Sequence, residues 1–146
     1  MNYKNKKEEN LEDWVKDLQR KIEKEEEKIY SKKVIEEYRN PVNFGIIKKP
    51  DAYAEIKGPC NDTMRMYLKI HDNKITSACF WTDGCGATIA SGNMLTRISI
   101  GKNMGEVSRI SQKQLINKLN GLPNEHIHCA KLATDTLKKA IENYHK

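Results

Sequence analysis

The fold is decided by residues 63–82, which read TMRMYLKIHDNKITSACFWT. Apolar and polar side chains alternate at the start of this stretch, and the apolar face carries Met64, Met66, Leu68 and Ile70. A period of two predicts a β-strand over residues 63–70 with one buried face. Residues 71–74 have the composition of a tight turn, and residues 75–82 are apolar again. The stretch therefore predicts an antiparallel hairpin whose apolar face must be covered by helices.

The flanking sequence adds one strand before the hairpin and a run of helices after it. A short strand is predicted over residues 52–57, where it ends at a Gly-Pro pair. Helical spacing then predicts helices over residues 86–100, 104–107, 111–119 and 127–144. Strands followed by helices are typical of an α+β protein. We therefore predict an α+β fold, a three-stranded antiparallel sheet packed against helices.

The first 29 residues are predicted to form an extra N-terminal amphipathic helix. Its apolar positions, at helical spacing, are Leu11, Trp14, Val15, Leu18, Ile22 and Ile29. We divide the chain into a charged helical extension over residues 1–29 and a domain over residues 30–146. Helical character is expected to continue through Tyr38 and to stop at Asn40-Pro41. The apolar stripe either packs on the domain, pairs in a short coiled coil or docks a partner.

Composition limits the classes of function. The chain has 146 residues, with 26 Lys and Arg against 20 Asp and Glu, which gives a net charge of +6. The two signs are interspersed and no nucleic-acid-binding module is recognisable, so we expect no nucleic-acid partner. No apolar run approaches the ~20 residues that span a membrane. The N-terminal residues lack the apolar segment of a secretory signal, so we expect a cytoplasmic protein with reduced thiols and no membrane partner.

Three loop stretches carry residues that can bind metal. They are Gly58-Pro59-Cys60-Asn61-Asp62, Gly84-Cys85-Gly86 and His128-Cys129. Asn61 tolerates a positive φ, which would let Cys60 and Asp62 face one ion. Cys85 precedes a predicted helix, whose free N–H groups favour a thiolate. Thiolates and imidazoles suit zinc or iron, and thiolates hold iron–sulfur clusters, so these loops predict a metal or cluster site.

The spacing of these residues leaves other interpretations open. One alternative is a structural zinc-binding domain. Another is a thiol-dependent sulfur-transfer enzyme with Cys129 as nucleophile beside His128, although adjacent helical residues diverge by about 100°. Cys79 lies in the middle of a predicted strand and is expected to be a buried, structural side chain. His126 is expected to be a solvated residue of the connector before the last helix.

From residue 30 onward, a series of short stretches occurs in an order and at a spacing typical of one family. They are Tyr30-Ser31, Asn40-Pro41-Val42-Asn43-Phe44-Gly45, Cys60-Asn61-Asp62, Thr82-Asp83-Gly84-Cys85-Gly86-Ala87, Ile89-Ala90-Ser91, Gly101-Lys102 and His128-Cys129-Ala130-Lys131-Leu132-Ala133. In these stretches the chain resembles the IscU/NifU-type iron–sulfur cluster assembly scaffolds. The resemblance implies the same α+β fold. It also implies that the ligands are Cys60, Asp62, Cys85, His128 and Cys129.

The function implied by this resemblance is that of a scaffold and not of an enzyme. A cysteine desulfurase would deliver sulfur as a persulfide to Cys129, Fe²⁺ would join it, and a ferredoxin-like donor would supply electrons. The product would be a labile [2Fe–2S] cluster that passes to apo client proteins, and Zn²⁺ could fill the site in a purified sample. Residues 1–29 precede the matched part and are candidates for homodimer formation or for docking to the desulfurase.

Two departures from the family pattern are visible. Asn61 replaces the glycine that the family has between cysteine and aspartate, and we expect it to preserve the turn. Bacterial scaffolds carry Leu-Pro-Pro-Val-Lys for a dedicated Hsp70-type chaperone. This chain has Leu122-Pro123-Asn124-Glu125-His126, of which only the first two residues match.

Overall fold

The structure is a computed structural model that describes the backbone of residues 3–145 and the side chains of residues 10–145. Its sheet contains β1 (Ala52–Lys57), β2 (Thr63–His71) and β3 (Lys74–Thr82), in the order β1-β2-β3 with both pairs antiparallel. The helices are α1 (Tyr3–Ile29), α2 (Lys32–Arg39), α3 (Gly86–Ser99), α4 (Met104–Ser108), α5 (Gln112–Lys118) and α6 (Ile127–His145). The predicted α+β fold is confirmed. Within residues 3–145, no helix combines the length and apolar character needed to cross a membrane.

The hairpin forms where the alternation predicted it. Asp72 (φ 51°) and Asn73 (φ 65°) make the turn between β2 and β3. Both residues have positive φ, as a two-residue turn that matches the twist of the strands requires, and Asp and Asn tolerate this conformation. The register shifts once, between Lys69 and Ile70, just before the turn. The two-residue turn therefore fixes the register of β2 and β3, and the register decides which face of each strand is buried.

The apolar face of the sheet packs against α3 and α6 to form the core. Met64, Met66, Leu68 and Phe80 are fully buried there. Gly92 lets α3 approach β3 closely, because a Cβ atom at this position would lie 2.5 Å from Cδ2 of Phe80. The core is therefore built from strand and helix side chains, and the metal-binding candidates lie at its margin.

The predicted continuous helix through Tyr38 is wrong, because the chain breaks at residues 30–31. Ser31 is extended (φ −63°, ψ 157°) and caps α2, with its Oγ accepting a hydrogen bond from the Val34 N–H at 3.1 Å. The same hydroxyl donates to the Leu119 carbonyl oxygen at 2.5 Å. A serine that satisfies a free N–H group starts a new helix, and this local preference overrides the helical periodicity.

α1 extends from the domain with its apolar stripe uncovered. The six apolar side chains of the stripe are 39–61 % exposed. The contacts of α1 with α2 centre on Arg39, which pairs with Glu23 at 3.4 Å and with Glu26 at 2.5 Å. The hydroxyl of Tyr38 also bonds Glu26 and, with Arg39, lowers the pKa of that carboxyl. The stripe does not pack on the domain of its own chain among the side chains that the structure describes.

The Asn-Pro-Val-Asn-Phe-Gly stretch covers the free edge of β3. The Gly45 N–H donates to the Phe80 carbonyl at 2.9 Å, and the Phe80 N–H donates to the Asn43 carbonyl at 3.0 Å. Asn43 is itself held by α3, since its N–H donates to Oδ1 of Asn93 at 3.0 Å and its side chain donates to Thr96 at 3.1 Å. This arrangement protects the edge strand from pairing with another chain.

Candidate metal and cluster site

The topology brings the three loop stretches to one end of the sheet. Lys57 pairs with Thr63 and Met64 pairs with Thr82, so the end of β1, the start of β2 and the end of β3 lie together. Cys60 lies in the β1–β2 turn, Cys85 lies between β3 and α3, and Cys129 lies in the first turn of α6. The loops that sequence alone could not connect therefore meet in space.

The β1–β2 turn brings Cys60 to the first turn of α6. Asn61 has φ 65°, as expected of the residue that replaces the family's glycine, and its N–H donates to the Gly58 carbonyl at 3.1 Å. Sγ of Cys60 is exposed and lies 3.1 Å from Nε2 of His128. The same nitrogen is 3.7 Å from Sγ of Cys129. His128 thus lies between two thiols, although adjacent positions in a helix were expected to keep it away from Cys129.

Thr88 is buried in the centre of the site, where it contacts three of the candidate ligands. Its hydroxyl is 3.4 Å from Oδ2 of Asp62, 3.3 Å from Sγ of Cys129 and 3.6 Å from Sγ of Cys85. A Cβ atom on Gly84 would lie 2.7 Å from this hydroxyl and 2.9 Å from the Asp62 carboxylate. The glycine before Cys85 is therefore needed for Asp62 and Thr88 to meet.

Cys85 and Cys129 form a thiolate–thiol pair. Cys85 is the N-cap residue of α3 and is exposed, whereas Cys129 is only 1 % exposed. A hydrogen bond from Cys129, with the backbone N–H groups of Thr88 and Ala87 and the Thr88 hydroxyl, lowers the pKa of Cys85 to about 4. Its bond to Cys85, together with burial, raises the pKa of Cys129. The two thiols together hold one proton. Cys129 carries this proton, and Cys85 carries the negative charge.

His126 also lies at the site, and its expected role as a solvated connector residue is wrong. Nδ1 of His126 is 3.9 Å from Sγ of Cys85, and Nε2 is 3.3 Å from the Tyr30 hydroxyl. The ligand atoms of Cys85, His126 and Cys129 all lie within 4.8 Å of one another. Tyr30 itself is partly buried against this centre, which together with the negative charge of Cys85 raises the pKa of its phenol.

Three residues at the site were missed by sequence reasoning. Thr88 had a usable signal, because it lies three residues after the capping cysteine, where the side chain of an N-cap residue meets the helix. His126 had a weaker one, namely its position two residues before His128. Tyr30 had none, since its contact with His126 spans 96 residues.

Cys79 is separate from these loops. It lies in the middle of β3, opposite Tyr67 of β2, and its side chain is half-buried. Burial raises the pKa of the Cys79 thiol. A protonated thiol within a strand is a poor metal ligand and a poor nucleophile, so a structural role remains our prediction for Cys79. The expected full burial of its side chain is wrong, because Cys79 is only half-buried.

The donor atoms at the site fit iron or zinc. Three thiols, one carboxylate and two imidazoles are available, and these are the ligands that borderline metals accept. A donor set dominated by sulfur and imidazole nitrogen, with one carboxylate oxygen, suits neither magnesium nor calcium.

Comparisons with known proteins agree with this geometry. The family described as "NifU-like N terminal domain" matches residues 29–146. Iron-sulfur cluster assembly scaffold protein IscU 1 of Archaeoglobus fulgidus is 38% identical over 117 residues, which cover 80% of this chain and 76% of that protein. The scaffold protein IscU of Buchnera aphidicola is 41% identical over 120 residues, covering 79% of this chain and 94% of its own.

A solved structure has the same fold. The crystal structure of the N-terminal part of a nitrogen-fixing NifU-like protein from Brucella abortus superposes with a TM-score of 0.64. It is 23% identical, and the match covers 80% of this chain and 94% of that one. Fold, site and sequence matches lead to one conclusion: the chain belongs to the family of NifU-like N-terminal domains.

Proposed function

We propose that this protein is a scaffold on which a [2Fe–2S] cluster is assembled from iron and desulfurase-derived sulfur and then transferred to apo-proteins. The observation that carries the proposal is the convergence of Cys60, Cys85, Cys129 and Asp62 at one end of the sheet. The names of the relatives, which are called scaffold proteins, support it.

The exposure of the ligands suits a cluster that must leave. We propose Cys60, Asp62, Cys85 and Cys129 as the cluster ligands, with His128 as a further metal ligand. Cys60 and Cys85 are exposed, so the thiolates of an acceptor protein can approach the irons from outside. Asp62 supplies an oxygen, which is a harder and weaker donor to cluster iron than a thiolate. The acceptor can therefore begin its attack at Asp62.

Sulfur would arrive as the persulfide of a cysteine desulfurase. A scaffold thiolate attacks the terminal sulfur, a new S–S bond forms, and the cysteine of the donor leaves as a thiolate. Cys129 remains our proposed acceptor. Because it is buried and protonated here, the first turn of α6 must open and its proton must pass to Cys85, its hydrogen-bond partner. Two electrons from a ferredoxin-like donor then reduce the bound sulfur to sulfide.

Reconstitution tests the scaffold role. Reduced apoprotein is incubated with Fe²⁺, cysteine and a desulfurase while visible absorption is recorded, and an apo-ferredoxin is then added. We expect a cluster chromophore that moves to the ferredoxin. Cys60→Ser and Cys85→Ser should lose it, and Cys79→Ser is the matched control that should keep it. Absence of a chromophore with the wild-type protein, or a chromophore that never transfers, would reject the proposal.

A structural zinc domain is the second candidate, and the Cys85–His126–Cys129 group favours it. A domain folded by zinc unfolds when a chelator removes the metal. We expect the helical circular dichroism to survive chelation, because the core around Phe80 and Leu95 is packed without any contribution from the site. Loss of that signal would favour the zinc domain.

The sulfur-transfer enzyme also has an observation in its favour, the 3.7 Å contact between His128 and Cys129. We nevertheless propose a role without turnover. A scaffold accepts sulfur up to the number of its site thiols, whereas an enzyme passes on many equivalents. Counting the sulfur atoms that each protein molecule releases to a thiol acceptor therefore separates the two roles, and release of many equivalents would identify an enzyme.

We place this chemistry in the cytoplasm, where thiols remain reduced.

We further propose that the extension over residues 1–29 pairs with that of a second copy. Its apolar seam follows steps of four and three residues through Leu11, Val15, Leu18 and Ile22, and resumes at Ile29. Lys21 and Glu26 flank opposite sides of this seam. A parallel pair would bring Lys21 of one copy beside Glu26 of the other, where it would join the Arg39 that already pairs with Glu26, whereas an antiparallel pair would oppose like charges.

The oligomeric state tests this pairing. Light scattering of the wild-type protein should give the mass of a dimer, and Leu18→Asp should give a monomer because it buries a charge in the seam. Asn10→Asp adds the same charge away from the seam and should leave the dimer intact. A wild-type monomer at all concentrations would reject the pairing without touching the scaffold role.

A further inference from the structure

The turn before α6 presents a second imidazole to the thiols. Nδ1 of His126 is 3.9 Å from Sγ of Cys85, and Cys129 completes a group whose ligand atoms lie within 4.8 Å of one another. Two thiols and one imidazole at this separation can converge on a single ion by small side-chain rotations, since Zn–S and Zn–N bonds are about 2.0–2.3 Å long. The family resemblance, by contrast, assigns its histidine ligand to His128.

Tyr30 orients the ring of His126 through the ring nitrogen that faces away from the thiols. Its hydroxyl lies 3.3 Å from Nε2, so a ring that carries its hydrogen on Nε2 donates to Tyr30 and leaves the Nδ1 lone pair facing Cys85. Metal-bound histidines almost always donate their other N–H to an oxygen in this way. The tilted ring contact, with centroids 5.7 Å apart, fixes the plane of the imidazole as well.

We propose that His126 binds metal directly through Nδ1, in a seat with Cys85 and Cys129 that takes the first iron or zinc ion. Cys85 and Cys129 would bind as thiolates, so any proton that a ligand still holds is released when the metal binds. As the entry point for iron, this seat rests on the proposed scaffold function. As a metal site, it can be measured without any cluster.

Each of the two imidazoles lies beside a different exposed thiol. His128 lies beside Cys60, at 3.1 Å, while His126 lies beside Cys85, and the two ring centroids are 6.5 Å apart. Cys129 lies within reach of both groups. An ion bound by His126 would therefore leave Cys60 and His128 available for a second ion.

Cobalt titration of the chelator-treated protein tests the seat. The visible absorption of bound Co²⁺ reports sulfur and imidazole ligands. Competition with Zn²⁺ then gives the affinity of the site for Zn²⁺. We expect Tyr30→Phe to weaken Co²⁺ binding about 10-fold, the lower end of the effect of removing a group that hydrogen-bonds a metal ligand. His126→Ala should weaken it further and change the cobalt spectrum. His71→Ala removes an exposed histidine at the end of β2 and is the matched control, which we expect to change neither the Co²⁺ affinity nor the spectrum.

X-ray absorption of the protein loaded with one equivalent of Zn²⁺ supplies an independent readout. His126→Ala should lose one imidazole from the zinc shell, and His126→Gln should lose the same imidazole with less disturbance of the turn. Unchanged Co²⁺ affinity, Co²⁺ spectrum and imidazole count in both variants would overturn the inference. If wild-type cluster assembly failed while these losses appeared, the metal seat would stand and the scaffold function would fall.

Discussion

At the scale of single residues, the site is organised by the proton between two cysteines. Cys85 caps α3 and collects hydrogen bonds, so it carries the negative charge, while Cys129 is buried and keeps the proton. The difference arises from the surroundings of the thiols, since a free cysteine has a pKa near 8.5. Cys85 accepts the hydrogen bond of Cys129 and those of the first N–H groups of α3, whereas Cys129 donates that bond and is buried. This asymmetry makes Cys85 the first ligand available to an incoming ion.

The apoprotein should therefore react with iodoacetamide at Cys85 in mildly acidic solution. Its pKa of about 4 keeps the thiolate populated from pH 8 down to pH 5, so the alkylation rate should change little over that range. An ordinary thiol loses about 100-fold between pH 8 and pH 6. Peptide mass spectrometry measures the rates, and Cys129→Ala should shift the Cys85 profile to higher pH because it removes the main hydrogen bond. A wild-type Cys85 profile like that of free cysteine would contradict this.

Asp62 should govern how fast the cluster leaves. Replacing it with alanine removes the oxygen ligand, so an acceptor must displace a thiolate first, and we expect Asp62→Ala to slow transfer to an apo-ferredoxin about 10-fold. Stopped-flow absorption measures the rate. Asp83→Ala is the matched control, because that exposed carboxylate bonds the Thr63 N–H at 2.8 Å and belongs to the same end of the sheet. Equal transfer rates in wild type and Asp62→Ala would end this assignment.

At the scale of elements, α3 links the core to the site. Its first residues hold Cys85, and its middle packs against β3. The helix is buried on several sides although many of its residues are small and polar. Ser91 and Ser99 donate to the carbonyls four residues earlier, at 2.7 and 2.6 Å, so their hydroxyls are satisfied within the helix. Small side chains let the strand and the helix lie close, which fixes the position of the cap.

Gly92→Ala should destabilise the domain despite the better helix propensity of alanine. The new methyl group would lie 2.5 Å from the Phe80 ring, and overpacking of a core costs about 1–3 kcal/mol, against a gain of about 1 kcal/mol from propensity. Urea unfolding measures the balance. Gly105→Ala in α4 is the control, since its methyl group would meet its neighbours at 3.4 and 3.5 Å, and it should be neutral or stabilising. Equal stability of the two variants would contradict the close approach at Gly92.

The same elements show how far sequence reasoning reaches. Alternation in β2 and the Asp72-Asn73 turn are local, so the hairpin and its buried face were predictable. The break at Ser31 was missed, because one hydroxyl competed with an uninterrupted helical period. The candidate ligands were found from loop chemistry and resemblance. His126 was missed because its neighbours, Cys85 and Tyr30, lie 41 and 96 residues away in the chain.

At the scale of the whole molecule, α1 contributes little to folding. Its stripe is exposed, and Arg39 joins it to α2 through ion pairs that are partly solvated. Exposed ion pairs add little stability. Deleting residues 1–28 should therefore lower the urea midpoint of the dilute, monomeric protein less than Gly92→Ala does, and a larger loss would show that α1 belongs to the folding unit.

The contact between Tyr30 and His126 links α1 to the metal-binding group. Tyr30 follows α1 directly and contacts the His126 ring, so the position of α1 and the orientation of this imidazole depend on each other. Two sites joined in this way exchange free energy in both directions. We expect a protein bound to α1 to change the affinity for the first ion, and a bound ion to restrict the motion of α1 in turn. We therefore expect metal binding at His126 and partner binding at α1 to affect each other before any cluster has formed.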